Sequence, residues 1–412
     1  MRFLYTIGIY FYSFFIRIAS LFNKKAQLFV KGRQGIFSKV QSQINPKDRL
    51  IWFHAASLGE FEQGKPIMEE CRKDFPNYKI LVTFFSPSGY ELRKNDEIAD
   101  YVYYLPLDTP YDMKKWLNIV NPDLVILIKY EFWFNLLHLL HNQNIPIIVV
   151  SAVFRSNQIF FKSYGLFMLR ALKNIQHFFV QDEQSMQLLN FYGIHQVTLS
   201  GDTRFDRVTK LTETVKPLPF LEVFKNDTFT VVAGSTWAKG ETFFAQYINE
   251  TPYTIKFILV PHETHFAKIQ QLQKSIQKKS ILYSEIKGQN LAAYDVLIID
   301  TVGLLTSIYP YGDIAYVGGA YGSTGIHNIL EPATYGKPVF YGPHFEKNQE
   351  AKNLVSARGA KVAHDYEGFK NSINLFYEDQ ERLKTYSQNA QQFIEKNRGA
   401  TMNIMHYLQK NL

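Results

Sequence analysis

The alternation of short apolar segments with helical patterns constrains the fold of this chain most strongly. Segments rich in β-branched and aromatic residues recur along the sequence, and segments with apolar residues at helical spacing lie between them. The predicted strands are LIWFHAA, YKILVTFF, DYVYYLPL, DLVILIKY, IPIIVVSA, HFFVQ and QVTLSG, followed by FTVVAGS, IKFILVPH, DVLIID, DIAYVGG, KPVFYG and AKVAH. Nearly continuous apolar strands that alternate with helices predict an α/β fold with parallel sheets covered on both faces.

The length and the rhythm of the chain indicate two domains. The 412 residues exceed the usual size of a single core. The alternation is lost over residues 206–228, which contain Pro217 and Pro219, and restarts afterwards. We therefore expect two α/β halves with a cleft between them. The predicted boundaries are a basic, membrane-associated segment at 1–35, a first domain at 36–210, a linker at 211–228 and a second domain with a helical tail at 229–412.

The N-terminus predicts membrane association. Residues 3–22 carry a single charge, that of Arg17, and a basic cluster follows them (Lys24, Lys25, Lys31 and Arg33). About twenty apolar residues are enough to span a bilayer, and a basic cluster behind such a segment places the rest of the chain in the cytoplasm. The aromatic residues and the internal Arg17 also suit a helix that lies in the membrane interface, so spanning and lying both remain open.

Charge and cysteine content narrow the class of partner. The net charge of +8 and the pI near 9.1 favour an anionic partner, such as an anionic lipid or a phosphorylated small molecule. Nucleic acid is not expected, because no long Lys/Arg tract or RNA-binding aromatic motif occurs. The single cysteine, Cys71, excludes an internal disulfide and is typical of a protein in a reducing compartment.

The stretch WFHAASLGE, residues 52–60, predicts a buried strand, a turn at Ser57 and Gly59, and then a helix with Glu60 near its start. A carboxylate at that position can be favoured by the helix dipole alone. It can also be a general base at the carboxyl end of a strand. The stretch by itself leaves both interpretations open.

A glycine-rich segment at 313–344 predicts a nucleotide site. A buried strand ends at Gly318 and Gly319, and a helix is expected to open around Asn328. Backbone N–H groups of such a loop and the helix N-terminus suit phosphate, and Glu331, one turn into the helix, suits ribose hydroxyls. The structural alternative is a tight turn in which Asn328 caps the helix.

Three other strand ends are candidates for contacts with the same ligand. They are Gly234-Ser235-Thr236, the segment LVPHETH with His262, Glu263 and His265, and the turn at 300–305. LVPHETH does not have the spacing of a zinc-protease motif, so no metal site is predicted there.

Two charged positions stand out in the first half. Glu131 interrupts an apolar run, and a buried carboxylate without a partner is costly. Lys129 can be its partner only if the chain turns, since both side chains of a strand would otherwise point to the same face. Arg204 lies between Asp202 and Asp206, an arrangement that is also typical of a salt-bridged loop.

These stretches together resemble a known family. The series WFHAASLGE, LVTFFSPSGYE, PDLVILIKYEFWFNLL, SAVFRSNQIFFKSY, SGDTRFD, AGSTWAKGE, VPHETH and GGAYGSTGIHNILEPATYGKPVFYGPH is similar to the 3-deoxy-D-manno-octulosonic acid (Kdo) transferases. The resemblance covers nearly the whole chain and includes its N-terminal segment.

The resemblance implies a GT-B glycosyltransferase with two Rossmann-like domains that face a central cleft. It implies transfer of Kdo from CMP-Kdo to a lipid A precursor (lipid IVA) in lipopolysaccharide biosynthesis, at the cytoplasmic face of the cell inner membrane, by a single inverting displacement without metal or cofactor. Glu60 would be the proton acceptor, and Glu131 and Arg204 would stabilise the transition state.

The resemblance also implies the segments that bind CMP. They are Pro261-His262, Val302-Gly303-Leu304 and Asn328-Ile329-Leu330-Glu331, and the candidates for further substrate contacts are Ser57, Gly59, Gly234, Ser235, Thr236, Gly318 and Gly319. The chain departs from the usual family pattern where His262 replaces Arg and Arg204 replaces Lys, and Ile326 and Ile329 stand for Gly and Pro. The alternative function is another GT-B nucleotide-sugar enzyme, either a lipid-linked N-acetylglucosaminyltransferase or a sugar-nucleotide 2-epimerase. A membrane protein that has kept the fold without the chemistry is a further alternative.

Overall fold

The computed structural model describes residues 2–322 and 325–412. The chain forms two compact units, one made of Met1–Arg207 and Arg398–Leu412 and the other of Val208–Asn397. Each unit contains one parallel seven-stranded sheet. The two α/β halves with parallel sheets, which the alternating pattern predicts, are therefore confirmed.

The first unit has the strand order β3-β2-β1-β4-β5-β6-β7. Its strands are β1 (Arg49–Ala55), β2 (Tyr78–Phe84), β3 (Tyr101–Tyr104), β4 (Leu124–Ile128), β5 (Ile147–Ala152), β6 (His177–Val180) and β7 (Val197–Leu199). Its helices are α1 (Arg2–Ala19), α2 (Lys24–Lys31), α3 (Ile36–Gln43), α4 (Leu58–Asp74), α5 (Pro87–Arg93), α6 (Pro110–Val120), α7 (Phe134–Asn142), α8 (Leu166–Leu172) and α9 (Glu183–Phe191). The chain passes to the second unit within α10 (Thr203–Glu213).

The second unit has the strand order β10-β11-β9-β8-β12-β13-β14. Its strands are β8 (Thr230–Thr236), β9 (Lys256–Pro261), β10 (Ser280–Leu282), β11 (Val296–Ile298), β12 (Ile314–Val317), β13 (Val339–Tyr341) and β14 (Ala360–Val362). Its helices are α11 (Pro219–Lys225), α12 (Ala238–Glu250), α13 (Phe266–Ser275), α14 (Leu305–Ile308), α15 (Leu330–Thr334), α16 (Gln349–Ser356), α17 (Tyr366–Glu378) and α18 (Gln380–Asn397). The last helix, α19 (Ala400–Asn411), belongs to the first unit.

The central strands are buried on both faces, as their continuous apolar sequence requires. In β1, Leu50 and Trp52 pack into the core on one side of the sheet, and Ile51 and Phe53 pack into the core on the other. Successive side chains of a strand point to opposite faces, so a run without alternation fills two layers. All parallel strand ends thus meet at one edge of the sheet, where the loops to the following helices begin.

The linker predicted at 211–228 contains more helix than expected. Residues of α10 extend to Glu213, and α11 begins at Pro219. Proline is tolerated at the first position of a helix because its missing N–H would have no intrahelical partner there. The change between the two units occurs at Arg207 and Val208, which is inside α10.

The C-terminal helix packs on the first unit rather than on the second domain to which the sequence assigned it. Ile404, Met405 and Leu408 of α19 are buried in the core on the α4 side of the first sheet. Both carboxylate oxygens of Asp206 accept backbone N–H groups at the start of this helix, from Gly399 and Thr401. The mostly polar sequence of the tail did not show which unit the apolar face of α19 would pack against.

The N-terminal segment forms α1, but none of the helices in residues 2–322 and 325–412 is long and apolar enough to cross a membrane. No residue of α1 is buried, and one part of it is held by Tyr5, which donates a 2.8 Å hydrogen bond to Asp108. Large apolar side chains elsewhere on α1 are exposed, among them Phe3, Phe11, Phe14 and Phe15.

Arg33 does not belong to the exposed basic cluster in which the sequence placed it. Its guanidinium donates hydrogen bonds to the carbonyls of Phe29, Phe85 and Leu105 and lies 3.6 Å from the ring centroid of Phe29. Burial lowers its pKa to about 9. Arg33 therefore anchors the end of α2, and the lysines of α2 remain exposed.

Candidate active site

Glu60 lies in the first turn of α4, directly after the carboxyl end of β1. Its Oε2 accepts the backbone N–H groups of Ala56 and Ser57, and with Ser57 it forms a capping box. The residue is only 7% exposed. Burial raises the pKa of Glu60 above its usual value, against the opposing effects of Lys129 and of the two backbone N–H groups. Glu60 thus has the role at the helix start that its sequence position suggests, together with a raised pKa that suits a base.

Glu131 follows the end of β4, where the chain does turn. Lys129 has a φ of 69°, which is unusual for a residue with a side chain, and its ammonium lowers the pKa values of both Glu60 and Glu131. Burial and the negative charge of Glu60 nevertheless raise the pKa of Glu131 to about 8. The loop therefore brings a second carboxyl group, protonated at neutral pH, into the electrostatic range of Glu60.

His54 and Trp133 lie behind Glu131. The Trp133 indole donates a 3.0 Å hydrogen bond to Nε2 of His54, whose Nε2 is 3.9 Å from Oε2 of Glu131. Burial lowers the pKa of His54 to about 3, so the imidazole is neutral. The sequence analysis missed both residues, although a histidine inside the buried run of β1 was a usable signal.

Arg204 is fixed by Asp202 at the N-terminus of α10. Its Nε and Nη2 lie 2.8 and 2.7 Å from Oδ2 of Asp202, and Gln63 of α4 donates to the other carboxylate oxygen. Although burial opposes it, the Arg204 guanidinium lowers the pKa of Asp202. Arg204 therefore forms the predicted ion pair with Asp202. Gln63, which bonds to Asp202, lies on α4 about one turn after Glu60, so the pair is linked to the helix that carries Glu60.

In the second unit, β8 ends in a strained segment. Ser235 has a φ of 50°, and the register with β9 shifts between Gly234 and Thr236. A Cβ on Gly234 would lie 2.1 Å from the hydroxyl of Tyr309, and a Cβ on Gly318 would lie 1.9 Å from the carbonyl oxygen of Ser235. Backbone strain of this kind is concentrated at ligand-binding sites. The two glycines here are required by close packing.

His262 and His327 stack with Trp237 beside the end of β9. The ring centroids of Trp237 and His262 are 4.6 Å apart at an interplanar angle of 20°, and those of His262 and His327 are 4.5 Å apart. The Trp237 indole donates to Nε2 of His327 at 2.9 Å, and burial lowers the pKa of His327. His262 therefore presents a stacked ring at this edge.

Glu331 is oriented by two side chains. Thr306 of α14 donates to Oε2 and Asn328 donates to Oε1, both at 2.9 Å. The helix was expected to open around Asn328, but α15 begins at Leu330, and the Asn328 side chain accepts the N–H of that residue. The carboxylate is thus in the first turn of the helix and held in one orientation.

The remaining residues predicted to contact substrate differ in how far their side chains are exposed to solvent. The side chains of Ile329 and Leu330 are each 1% exposed, so only their backbone can meet a ligand. Val302 is 79% exposed, Gly303 has a φ of 93°, and Leu304 precedes α14. A Cβ on Gly59 would meet no atom within 4 Å, so packing does not require glycine there.

The end of β12 makes the turn that the glycine-rich sequence predicts. Gly319 has a φ of 96°, and a Cβ on it would lie 2.2 Å from the carbonyl oxygen of Gly325. The N–H of His327 returns to the carbonyl of Gly318. Ser323 and Thr324 of the same segment lie outside the described residues.

In the described part of the chain, His, Cys, Asp and Glu nowhere form a group of three that could hold a metal ion.

Comparison with known proteins gives the same family that the sequence motifs at these strand ends resemble. A family model described as 3-deoxy-D-manno-octulosonic-acid transferase (Kdo transferase) matches residues 30–207. The 3-deoxy-D-manno-octulosonic acid transferase of Aquifex aeolicus (strain VF5) is 29% identical, across 78% of this chain and 86% of that protein. The protein of the same name from Haemophilus influenzae is 27% identical, across 97% of this chain and 96% of that protein. The chain is therefore similar to Kdo transferases over most of its length.

The family match and these relatives support a glycosyltransferase. The fold is shared more widely. A crystal structure of UDP-GlcNAc 2-epimerase from Neisseria meningitidis bound to UDP-GlcNAc has a TM-score of 0.60 with 17% identity, and covers 88% of this chain and 100% of that chain. At that identity the likeness shows the fold alone. The similarity to Kdo transferases rests on the sequence relatives, which have that name.

Proposed function

We propose that this chain transfers Kdo from CMP-Kdo to a lipid A precursor, lipid IVA, in lipopolysaccharide biosynthesis. The observation that carries the proposal is the pair of interacting carboxyl groups of Glu60 and Glu131 at the carboxyl edge of the first sheet, in a chain similar to Kdo transferases. One carboxyl can take a proton while the other donates a hydrogen bond, because their environments differ.

In this proposal Glu60 is the general base. As a hydroxyl oxygen of the acceptor attacks the anomeric carbon of Kdo, its proton passes to the Glu60 carboxylate. The bond between that carbon and the phosphate oxygen breaks at the same time, and CMP leaves with the electron pair. A single displacement inverts the anomeric centre and needs no covalent sugar intermediate. The raised pKa of Glu60 improves the base, since proton transfer is most effective when the pKa approaches the working pH.

Charge stabilisation is assigned to Arg204 and Glu131. The guanidinium of Arg204, fixed by Asp202, would face the negative charge that develops on the leaving phosphate. Glu131 would donate its proton in a hydrogen bond to an oxygen of the sugar. The proposed CMP contacts in the second unit are the backbone of 302–304 and 328–330, the carboxylate of Glu331 on the ribose hydroxyls and the ring of His262. We expect no metal or organic cofactor.

We further propose that α1 rests on the cytoplasmic face of the inner membrane. The exposed aromatic residues of α1 suit the headgroup region, and the exposed Lys24, Lys25 and Lys31 suit anionic lipid. Such contact would keep the active site near a lipid acceptor and raise its effective concentration.

The proposal is tested with purified protein, CMP-Kdo generated in place and a tetraacylated lipid A precursor, with products read by mass spectrometry. Wild type is expected to add one or more Kdo residues. Glu60→Gln keeps a capping oxygen but cannot accept the proton, so the transfer rate is expected to fall roughly 100-fold to 10,000-fold. CMP binding is expected to remain.

Glu70→Gln is the matched control. It removes a carboxylate from the same helix, ten residues or roughly 15 Å further along, where Glu70 pairs with Lys73 on the surface. Its transfer rate should equal that of wild type. Transfer by Glu60→Gln at the wild-type rate would refute the base, and the absence of Kdo addition by wild type would refute the acceptor or the reaction.

A further inference from the structure

A hydrogen-bonded network of two tryptophans, a histidine and a threonine lies under the loop that carries Glu131. Trp133 donates to Nε2 of His54 at 3.0 Å, and Nδ1 of His54 is 2.8 Å from Oγ1 and 3.1 Å from the carbonyl oxygen of Thr83. Trp52 donates to the same Oγ1 at 2.7 Å. His54, Trp52 and Thr83 are completely buried. The network therefore joins β1 and β2 to the loop after β4.

The donors in this network fix the tautomer of His54. An indole nitrogen can only donate, so Nε2 of His54 must accept from Trp133 and carries no proton. The proton is on Nδ1, which faces the oxygens of Thr83. A neutral ring with this tautomer presents a lone pair to Trp133 and holds the indole in one orientation.

The pair formed by His54 and Trp133 lies against Glu131. Nε2 of His54, which accepts the indole N–H, is 3.9 Å from Oε2 of Glu131. Burial raises the pKa of this carboxyl, and the nearby indole opposes that effect. On its other side the Trp133 ring packs on Phe85, with centroids 4.6 Å apart. Because His54 is neutral, the contact between His54 and Glu131 is not an ion pair. The indole is held from two directions, by His54 through its N–H and by Phe85 through its ring.

We propose that His54 and Trp133 are positioning residues for the transfer reaction, which fix the carboxyl of Glu131 beside Glu60. The proposal rests on the proposed role of Glu131 in Kdo transfer. It assigns the orientation of the Glu131 carboxyl to the two side chains behind it, His54 and Trp133. Precise orientation of reacting groups is a large part of enzymatic rate enhancement.

The charged and titratable groups that face Glu131 come from three elements. Glu60 reaches it from α4, Lys129 and Tyr130 belong to its own loop, and His54 lies on β1. Arg155, after β5, acts on Tyr130. A change at Trp133 alters one hydrogen bond and leaves every one of these charges in place, so its effect on Glu131 can be separated from theirs.

The experiment compares Trp133→Phe with Trp116→Phe in the full chain. Trp116 is also a buried tryptophan of the first unit, and among the described residues its N–H has no hydrogen-bond partner. Protein labelled with ¹³C at the glutamate side-chain carboxyl is titrated by NMR, and the Glu131 signal is identified by its loss in Glu131→Gln. The pKa of Glu131 is expected to rise in Trp133→Phe and to stay at the wild-type value in Trp116→Phe.

Steady-state Kdo transfer gives the second readout. In Trp133→Phe, kcat is expected to fall on the order of tenfold, while KM for CMP-Kdo changes less than about twofold, because the proposed nucleotide contacts are in the other unit. His54→Gln, whose amide oxygen can still accept from the indole, is expected to retain more kcat than His54→Leu. This pair keeps the test decisive if Trp133→Phe unfolds.

The two proposals fail in different ways. If wild type transfers no Kdo, the proposed function fails, and the comparison of carboxyl pKa values still decides the positioning role. An unchanged pKa of Glu131 in Trp133→Phe overturns the positioning role whatever the activity. A kcat in Trp133→Phe equal to that in Trp116→Phe overturns it as well.

Discussion

Glu131 and Glu60 show how one edge of a sheet gives two carboxyl groups different tasks. Glu60 is buried and Glu131 is largely buried, but Glu60 receives two backbone N–H groups, while Glu131 lies close to the charge of Glu60. Backbone N–H groups favour the ionised form, and a neighbouring negative charge disfavours it. The proton acceptor and the hydrogen-bond donor of the proposed reaction are thereby distinguished.

The pKa of Glu131 predicts an alkaline limit to transfer. Since its value in the folded protein is raised to about 8, the carboxyl is protonated below that pH and loses its proton above it. We expect kcat to fall as the pH rises through about 8. Glu131→Gln mimics the protonated form, so its rate should not show this fall. A pH profile of kcat for both proteins checks the prediction, and an identical fall in the variant would assign it to another group.

Thr306 is predicted to support nucleotide binding through Glu331. Thr306→Val removes the hydroxyl that donates to Oε2 and leaves the carboxylate held by Asn328. We expect the Kd for CMP to rise about tenfold, which corresponds to the loss of one hydrogen bond to a charged group. Isothermal titration with CMP measures it. Thr385→Val, on the surface of α18, should bind CMP like wild type, and equal affinities of the two variants would contradict the prediction.

At the level of elements, strands were more predictable than the segments between them. Buried runs such as those of β1 and β4 are recognisable because they must be apolar on both faces. β10 was missed because it is only three residues long and begins with a serine. α15 begins later than expected, because the side chain of Asn328 receives an N–H outside the helix.

Site residues could be predicted where a charged residue or a glycine interrupts an apolar or regular stretch of sequence. Glu60, Glu131 and the glycines of the second unit stand out in the sequence for that reason. His54 and Thr306 were missed because their roles depend on partners 79 and 25 residues away in the chain. The sequence did not predict the turn at Lys129. It showed only that Lys129 could pair with Glu131 if the chain turned there, since a positive φ at a lysine leaves no sequence signal.

α19 is predicted to contribute to the stability of the first unit. Ile404 is fully buried against the first sheet, and Ile404→Ala is expected to lower the free energy of unfolding by about 2–5 kcal/mol. Met402 of the same helix is 72% exposed, so Met402→Ala should change it by less than about 0.5 kcal/mol. Denaturant unfolding compares them. A small effect of Ile404→Ala would show that the first unit does not need this helix.

At the scale of the whole molecule, the surface of α1 predicts binding to anionic vesicles. Replacing both Phe14 and Phe15 with serine removes exposed aromatic area and should reduce co-flotation with vesicles that contain anionic lipid. Leu92→Ser removes an exposed apolar residue from α5 and should not change it. Equal flotation of the Phe14/Phe15 variant and wild type would exclude α1 as the contact.

The capping box at Ser57 and Glu60 has a consequence for how related sequences are interpreted. A glutamate that closes the start of α4 is retained by selection for folding even after catalysis has been lost. The motif Ser-Leu-Gly-Glu therefore identifies the fold of this unit and does not by itself identify a working enzyme. Glu131 caps no helix and is costly to bury, so selection for stability alone would replace it. An inactive descendant should keep the first glutamate and lose the second.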